Sequence, residues 1–458
     1  MSLVRMLGNE KVFIGALGVL LLIPQAFNHL DGHARLRPTG ARACSGDEPH
    51  YLLLLNSVLN DRDLDLANNY VSVHQGSLQA GEAFAGSALD HHVVYYVRGE
   101  RRWWSDFYDV KHWKRDASGW PIPTPARELP DELKSSPERS YHLPGSTLLL
   151  APVLYPFRGT RLLEPAAILL SAIATFFGML AFRELIREQG FPPAVVNAAT
   201  LLTCAGTPVL HYSRSFFNEP LLLALGVGAY ALALSKDRYL WAAILIGLGM
   251  QMKPPFLLLA IPLAADLLWK RRLRALVMMG MPLLGSSLLL LTVNWVLFGS
   301  PWRPPVVFVA GDPIVGIRGL LLSTEHGLFL FAPMALIAAI GWPFAIRRRP
   351  RESCVIGFGF LLYFLAMATW LTWDGGHCYG PRYAVPVIPL FMVPFGLALA
   401  WAVRFWRLAL TGIALVCAFS LYINLTAAVY YCRSFEWNPW DRIGRAFLTL
   451  AHHHFEWR

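Results

Sequence analysis

The sequence predicts an all-α polytopic membrane protein of about eleven transmembrane helices, with a long extracytoplasmic first loop that holds interfacial helices and short β structure. Three observations lead there. Of 458 residues, 55% are hydrophobic and only 15% charged, against roughly 25% charged in soluble domains. The apolar residues gather in runs long enough for the ~30 Å hydrocarbon core of a bilayer. Lysine and arginine fall in every second connection between those runs, as they do on the cytoplasmic side of a membrane. The net charge of +10 is therefore a topology signal. It is scattered between apolar segments and forms no groove-like array with stacking aromatics, which excludes a nucleic-acid partner.

Residues 12–27 follow Arg5 and Lys11 and have the length of a secretory signal core. No small-residue cleavage pattern comes after them, so residues 1–28 are read as the first transmembrane helix, with the N-terminus cytoplasmic. Residues 29–160 form the extracytoplasmic loop, and its 29–145 portion holds 16 of the 30 acidic residues, so it must lie on one side. Within it, residues 49–59 are apolar at helical spacing between charges, a pattern for a helix lying in the interface. The β-branched and aromatic run at 93–97, then Trp103-Trp104 and Phe107-Tyr108, predicts strands, with Asp116-Ala117-Ser118-Gly119 as a turn. The apolar stretch after Tyr141-His142-Leu143-Pro144-Gly145 ends at Phe157. It is short of the ~20 residues a span needs and reads as interfacial or re-entrant.

Residues 161–432 carry the bundle, with further spans near 162–182, 193–212, 217–234, 239–252, 254–269, 274–298, 327–346, 353–373, 384–402 and 407–430. The connections with Arg183 and Arg187, Lys236 and Arg238, Lys270-Arg271-Arg272, Arg347-Arg348-Arg349, and Arg404 with Arg407 all fall on one side. An odd number of spans places the 433–458 tail outside. Six cysteines (44, 204, 354, 378, 417 and 432) show no paired CxxC spacing, so no zinc or redox motif is read and Cys378 and Cys432 are expected as free thiols.

The outer face displays polar groups at span ends: Asp47-Glu48, Ser213-Arg214 with Asn218-Glu219, Lys253-Pro254, and Trp373 to Tyr383. Ser323-Thr324-Glu325-His326 is expected as a re-entrant corner lining the same cavity. An ionised Asp near hydrocarbon costs roughly 3 kcal/mol, so the acidic pair calls for a reason beyond capping a helix opened by Pro49. The glycines of 373–383 exclude regular helix and let backbone approach a ligand, just before Arg382. Cations such as Lys253, Arg214 and Arg382 neutralise phosphate by charge-assisted hydrogen bonds. A carboxylate serves as general base toward a hydroxyl. Together they suit a lipid phosphate that carries a sugar.

These motifs, in this order, resemble the C-type glycosyltransferase superfamily (GT-C), in particular bacterial relatives of the protein O-mannosyltransferases and of the aminoarabinose lipid A transferases. The residues that carry the likeness are Asp47-Glu48 with Tyr51, Tyr141-His142-Leu143-Pro144, Ser213-Arg214 with Glu219, Lys253-Pro254, and Trp373 to Tyr383. The resemblance implies an inner-membrane enzyme moving a sugar from a polyprenyl-phosphate donor to a hydroxyl of a glycan, lipid or protein acceptor, on the extracytoplasmic side. It implies Asp47 as catalytic carboxylate with Glu48 as its neighbour, and Lys253 and Arg382, with Arg214, at the donor phosphate. Glu219 is expected near the acceptor or in support. His142 and His377 are expected as polar support, alongside Tyr51, His326, Asp374 and Tyr383. Leu143 stands where many members of that family carry a lysine, so that phosphate contact comes from elsewhere or is absent. No cofactor is assigned; a divalent metal stays open, although the fourteen histidines show no ligand spacing such as HExxH. A transporter or flippase of a lipid-linked sugar would share the cations and grooves. Against it, the ionisable groups sit at one membrane face and no inverted repeat is visible.

Overall fold

A chain in hydrocarbon must satisfy its own backbone N–H and C=O groups, so the long Leu-, Ala- and Gly-rich runs become helices. The computed structural model describes residues 6, 8–26, 28–30, 36–37, 42–43, 46–80, 92–97, 102–105, 114–115, 121–122, 137–302, 309–376, 378–405 and 407–429. In chain order the described α-helices of eight residues or more are α1 (Glu10–Ala26), α2 (Glu48–Asn56), α3 (Ala67–His74), α4 (Gly145–Leu154), α5 (Leu163–Arg187), α6 (Pro193–Ala205), α7 (Glu219–Lys236) and α8 (Tyr239–Met250). There follow α9 (Ala260–Trp269), α10 (Leu273–Phe298), α11 (Pro313–Leu322), α12 (Ala335–Arg348), α13 (Pro350–Ala368), α14 (Val393–Phe405) and α15 (Arg407–Val429). Tighter 3₁₀ turns at Pro254–Leu259 and Arg382–Val387 break the runs where prolines crowd.

The fold is that of a mostly helical polytopic membrane protein. Among the described residues, five segments are long and apolar enough to cross a bilayer: α5, α7, α10, α13 and Leu408–Val429 of α15. A sixth forms if Arg382–Phe391 and Val393–Arg404, bent by 47°, count as one broken span. Eleven crossings are not established by length. Each remaining run is helical where expected, but α8 has 12 residues and, at 1.5 Å per residue, covers only about 18 Å. α1 has 17 residues with Pro24 inside it.

Among the described residues, the segment between α1 and α4 carries three small antiparallel sheets. β1 (Asn28–Leu30) pairs with β2 (Leu36–Arg37), and β5 (Lys114–Arg115) with β6 (Pro121–Ile122). β3 (Val93–Val97) lies between β4 (Arg102–Ser105) and β7 (Arg139–Ser140), with Tyr95 opposite Trp104 and Val93 opposite Ser140. Strands at 93–97 and 103–104 follow the β-branched and aromatic pattern. The expected strand residues Phe107 and Tyr108, and the turn at 116–119, lie outside the described residues, as does everything beyond 429.

In the bundle α5 packs on α7, α7 on α8, and α8 on α10, while the 382–387 turn wedges between α7 and α13. On α10, Leu273, Val277, Met281, Leu284 and Leu288 form an exposed stripe at helical spacing, the face a membrane protein turns to lipid. Polar groups occupy both ends of the same helices. At one end Glu184 pairs with Lys236 at 2.6 Å, and Arg351 and Lys270 converge on Asp266. At the other end lie Glu219, which opens α7, and Lys253, which follows α8. The 18 residues of α7 separate the two layers by about 27 Å, close to the hydrocarbon thickness.

Candidate active site

Asp47 occupies the N-cap position of α2, where a carboxylate ordinarily accepts from the first helical N–H groups. Its side chain makes no such capping bond. Instead Asp47 Oδ2 accepts from Arg382 Nη2 at 2.5 Å. Arg382 reaches it because the preceding loop turns through left-handed backbone at Gly375 (φ 76°), Gly376 (φ 69°) and Gly380 (φ 58°), a conformation that other residues adopt only with strain. The guanidinium lies over the Phe217 ring at 4.1 Å and donates through Nε to Glu219 Oε1 at 3.1 Å. Lys253, extended between α8 and the 254–259 turn, donates to the same Glu219 oxygen at 3.1 Å and sits 4.1 Å over the Tyr383 ring. The charges alternate: Asp47, Arg382, Glu219, Lys253. Their side chains are 20%, 5%, 0% and 13% exposed, so the row is sheltered yet open at Asp47.

Three histidines back the acid. His142 Nε2 and His92 Nδ1 each stand 3.8 Å from Asp47 Oδ1. His50 stacks on His92 with ring centroids 3.6 Å apart, and Tyr51 lies 4.5 Å from His142. Burial alone would push the Asp47 carboxyl up, but Arg382, then His142 and His92, override it and hold it well below the usual carboxylate range. Burial pushes His142 down to about 3 against the pull of Asp47, so it is neutral at pH 7. Among the described residues, Asp47, His92 and His142 are a trio whose ligand-type atoms lie within 4.8 Å of one another.

The other expected residues are placed as follows. Glu48 is fully buried and accepts from the Phe216 N–H at 2.6 Å, holding the loop before α7. The Tyr51 hydroxyl accepts from Asn218 Nδ2 at 2.9 Å. Arg214, also fully buried, donates to the Ala428 carbonyl at 2.8 Å near the end of α15. His326 Nδ1 bonds the Gly380 carbonyl at 3.2 Å, so the 323–327 corner braces the Arg382 loop. Asp374 Oδ1 accepts from the Gly376 N–H at 3.3 Å within that loop. His377 lies outside the described residues.

His92, His50 and Phe217 went unread as site residues. The pairing of β3 with β7 puts Val93 opposite Ser140, and the Tyr141 N–H donates to the His92 carbonyl at 2.9 Å. That pairing draws His92 beside His142 across a long loop. The adjacent His91-His92 just before the β-branched run was the available signal, and no spacing rule connects it to residue 142.

Beside Lys253 runs an apolar groove of about 260 Å³ between α4, α8 and α10, lined among others by Leu143, Leu148, Leu248, Met252 and Leu290. Gly145 sets its width, since a Cβ there would stand 2.3 Å from the Gln251 carbonyl oxygen. Gln251 is itself pinned to α10 by donating to the Ser286 carbonyl at 2.8 Å.

The architecture is shared with two solved structures. ArnT from Cupriavidus metallidurans bound to undecaprenyl phosphate superposes with a TM-score of 0.52 at 16% identity, over 89% of this chain and 63% of that one. The apo state of the same protein gives 0.50 and 14%, with the same coverage. At this identity the likeness establishes the fold alone. The chain spans 63% of the length of those structures. No protein-family model and no curated protein matches it.

Proposed function

We propose that the chain is a membrane glycosyltransferase of the GT-C type, moving a sugar from a polyprenyl-phosphate donor to an acceptor hydroxyl at the extracytoplasmic face of a bacterial inner membrane. The observation that carries the reading is the alternating row Asp47, Arg382, Glu219, Lys253 at one end of the bundle, beside an apolar groove. The undecaprenyl phosphate held by the ArnT of like fold supports a donor of that class. In this reading the eleven apolar helical segments all cross, residues 29–160 and 433–458 lie outside, and the groove takes the first prenyl units.

Arg382 and Lys253 receive the phosphate, and Glu219 keeps both cations aimed while the site is empty. Leu143 lines the groove, so these two supply the charge that a lysine at that position would have added. Prenyl phosphate is already stable as an anion and leaves unprotonated. The acceptor hydroxyl is the poor partner: its oxygen attacks the anomeric carbon, the bond to the phosphate oxygen breaks with its electron pair, and the hydroxyl proton passes to Asp47 at about 3 Å. While Arg382 grips Asp47 the carboxylate is a weak base. A phosphate that takes over the guanidinium N–H groups restores its basicity as the acceptor arrives. One carboxylate in this place gives inversion, because double displacement would need a second one as nucleophile, and Glu48 is committed to the Phe216 amide.

Detergent-solubilised chain, given a radiolabelled polyprenyl-phosphate sugar and envelope extract without any gradient, is expected to release polyprenyl phosphate and label an acceptor. No transfer there, with labelled lipid moved across vesicles instead, would replace the enzyme with a flippase.

A further inference from the structure

We propose that Tyr363 is a positioning residue of the donor site, given that Arg382 and Lys253 hold the donor phosphate as proposed above: its hydroxyl takes over the Glu219 carboxylate when that phosphate arrives. Two buried polar atoms support this. Glu219 is fully buried and offers Oε1 to both cations, while Oε2 has no hydrogen-bond partner among the described residues. Tyr363, in α13, is equally buried, and its hydroxyl also lacks a partner among the described residues. Buried polar groups are nearly always satisfied, so each such orphan calls for an explanation. The Tyr230 hydroxyl, buried on the neighbouring α7, donates to the Leu259 carbonyl at 3.0 Å. Among the ionisable groups, Glu219 acts most strongly on the Tyr363 hydroxyl, followed by Tyr383 and Arg382.

Packing brings the two groups to one place. α13 lies against both the 254–259 turn, which follows Lys253, and the 382–387 turn, which begins at Arg382. Tyr363 meets Phe256 of the first turn edge to face, with ring centroids 6.0 Å apart. The Phe256 ring fills the space left by Gly226, where a Cβ would stand 3.0 Å from its Cζ. Gly226 lies two turns along α7 on the face that begins with Glu219. A phosphate between Arg382 and Lys253 places a second anion beside the Glu219 carboxylate, and in a sheltered site like charges repel strongly. Rotation about the Glu219 side-chain torsions moves the carboxylate away with α7 fixed, and Tyr363 donates the hydrogen bond it then needs, directly or across one water. The cations stay behind, since Arg382 rests on the Phe217 ring and Lys253 on the Tyr383 ring, each at 4.1 Å. One movement frees the phosphate site and satisfies both orphaned atoms.

The test titrates undecaprenyl phosphate into the full chain in detergent, as the parent, Tyr363→Phe, Glu219→Gln and the double variant. Tyr363→Phe should bind the lipid at least ~10-fold more weakly, the worth of one hydrogen bond to a charged group. Without lipid it should melt no lower than the parent, because the hydroxyl it deletes is unpaired in the empty site. In the Glu219→Gln background the same substitution should change affinity less than ~2-fold, since no carboxylate has to move. With sugar-loaded donor, KM should rise while kcat holds. Infrared difference spectra of the parent, with minus without lipid, should contain a carboxylate shift that Glu219→Gln removes, which reads the movement with Tyr363 intact. Parent-like affinity in Tyr363→Phe, an equal loss in both backgrounds, a lower melting temperature without lipid, or no carboxylate shift assignable to Glu219 would each overturn the role. These effects in a chain that transfers no sugar keep the role of Tyr363 and remove the transferase reading. Sugar transfer with a parent-like donor KM in Tyr363→Phe does the reverse.

Discussion

Glu219→Gln exchanges one heavy atom and removes the carboxylate that pairs with both Arg382 and Lys253. In the native chain the carboxylate is fully buried, with Oε1 3.1 Å from both cationic nitrogens. The variant leaves two sheltered cations facing the single charge of Asp47. Breaking a buried pair by removing one partner costs about 3–5 kcal/mol, and since Arg382 keeps Asp47 the lower figure, about 3 kcal/mol, is expected. A phosphate returns the lost negative charge, and in the variant it no longer competes with Glu219. Thermal unfolding in detergent, with and without undecaprenyl phosphate, separates the two effects. Without ligand the variant should melt below the parent. With ligand its rise in melting temperature should exceed the parent's, in line with at least tenfold tighter binding, or about 1.4 kcal/mol. A variant as stable as the parent, or one that gains less from undecaprenyl phosphate, would refute the idea that Glu219 occupies cations meant for phosphate.

Asp47→Asn should keep donor binding and lose at least ~100-fold in rate, the low end for a general base; a product retaining the donor's anomeric configuration would tell against the base role. Lys253→Ala should weaken prenyl-phosphate affinity by about 1.5–3 kcal/mol, the worth of a charged hydrogen bond, measured by titration of the lipid into detergent-held chain. Gly145→Ala should displace α4 from Gln251 and cost roughly 1–3 kcal/mol as overpacking, seen as a lower melting temperature and slower turnover together. Burial holds His142 at about 3, so below its ordinary value the unfolded chain takes up a proton that the folded one refuses. In EDTA, stability should therefore fall by about 1.4 kcal/mol per pH unit between roughly 6.5 and 3. His142→Asn should flatten that slope, and an unchanged slope would remove His142 as its source.

The run of helices was legible because hydrophobic runs, proline breaks and alternating arginine clusters are local or nearly local properties. The break at Met252-Lys253-Pro254-Pro255 appears as a helix end and a 3₁₀ turn, and residues 373–376 and 378–381 of the Gly-rich stretch as irregular backbone before the 3₁₀ turn at Arg382. Helix lengths were less legible, since internal prolines and tight turns shorten a span by residues that hydropathy alone counts as apolar.

Composition and charge order by themselves determined a polytopic membrane protein with its acidic loop on one side and its cations at span ends, because hydrocarbon rejects unpaired charge wherever it falls in the chain. Only the tertiary structure decided which charges meet. Arg214 and Arg382 both open polar stretches at the same end of the bundle, yet the first ends on the Ala428 carbonyl and the second on Asp47 and Glu219. Glu48, next to Asp47, faces the Phe216 amide because successive side chains of a helix start point to different sides. His92 joins the site through strand pairing with a segment some fifty residues on. Such pairings are made by chain segments far apart in sequence, whose registers are set by packing of the whole bundle and leave no mark in local spacing.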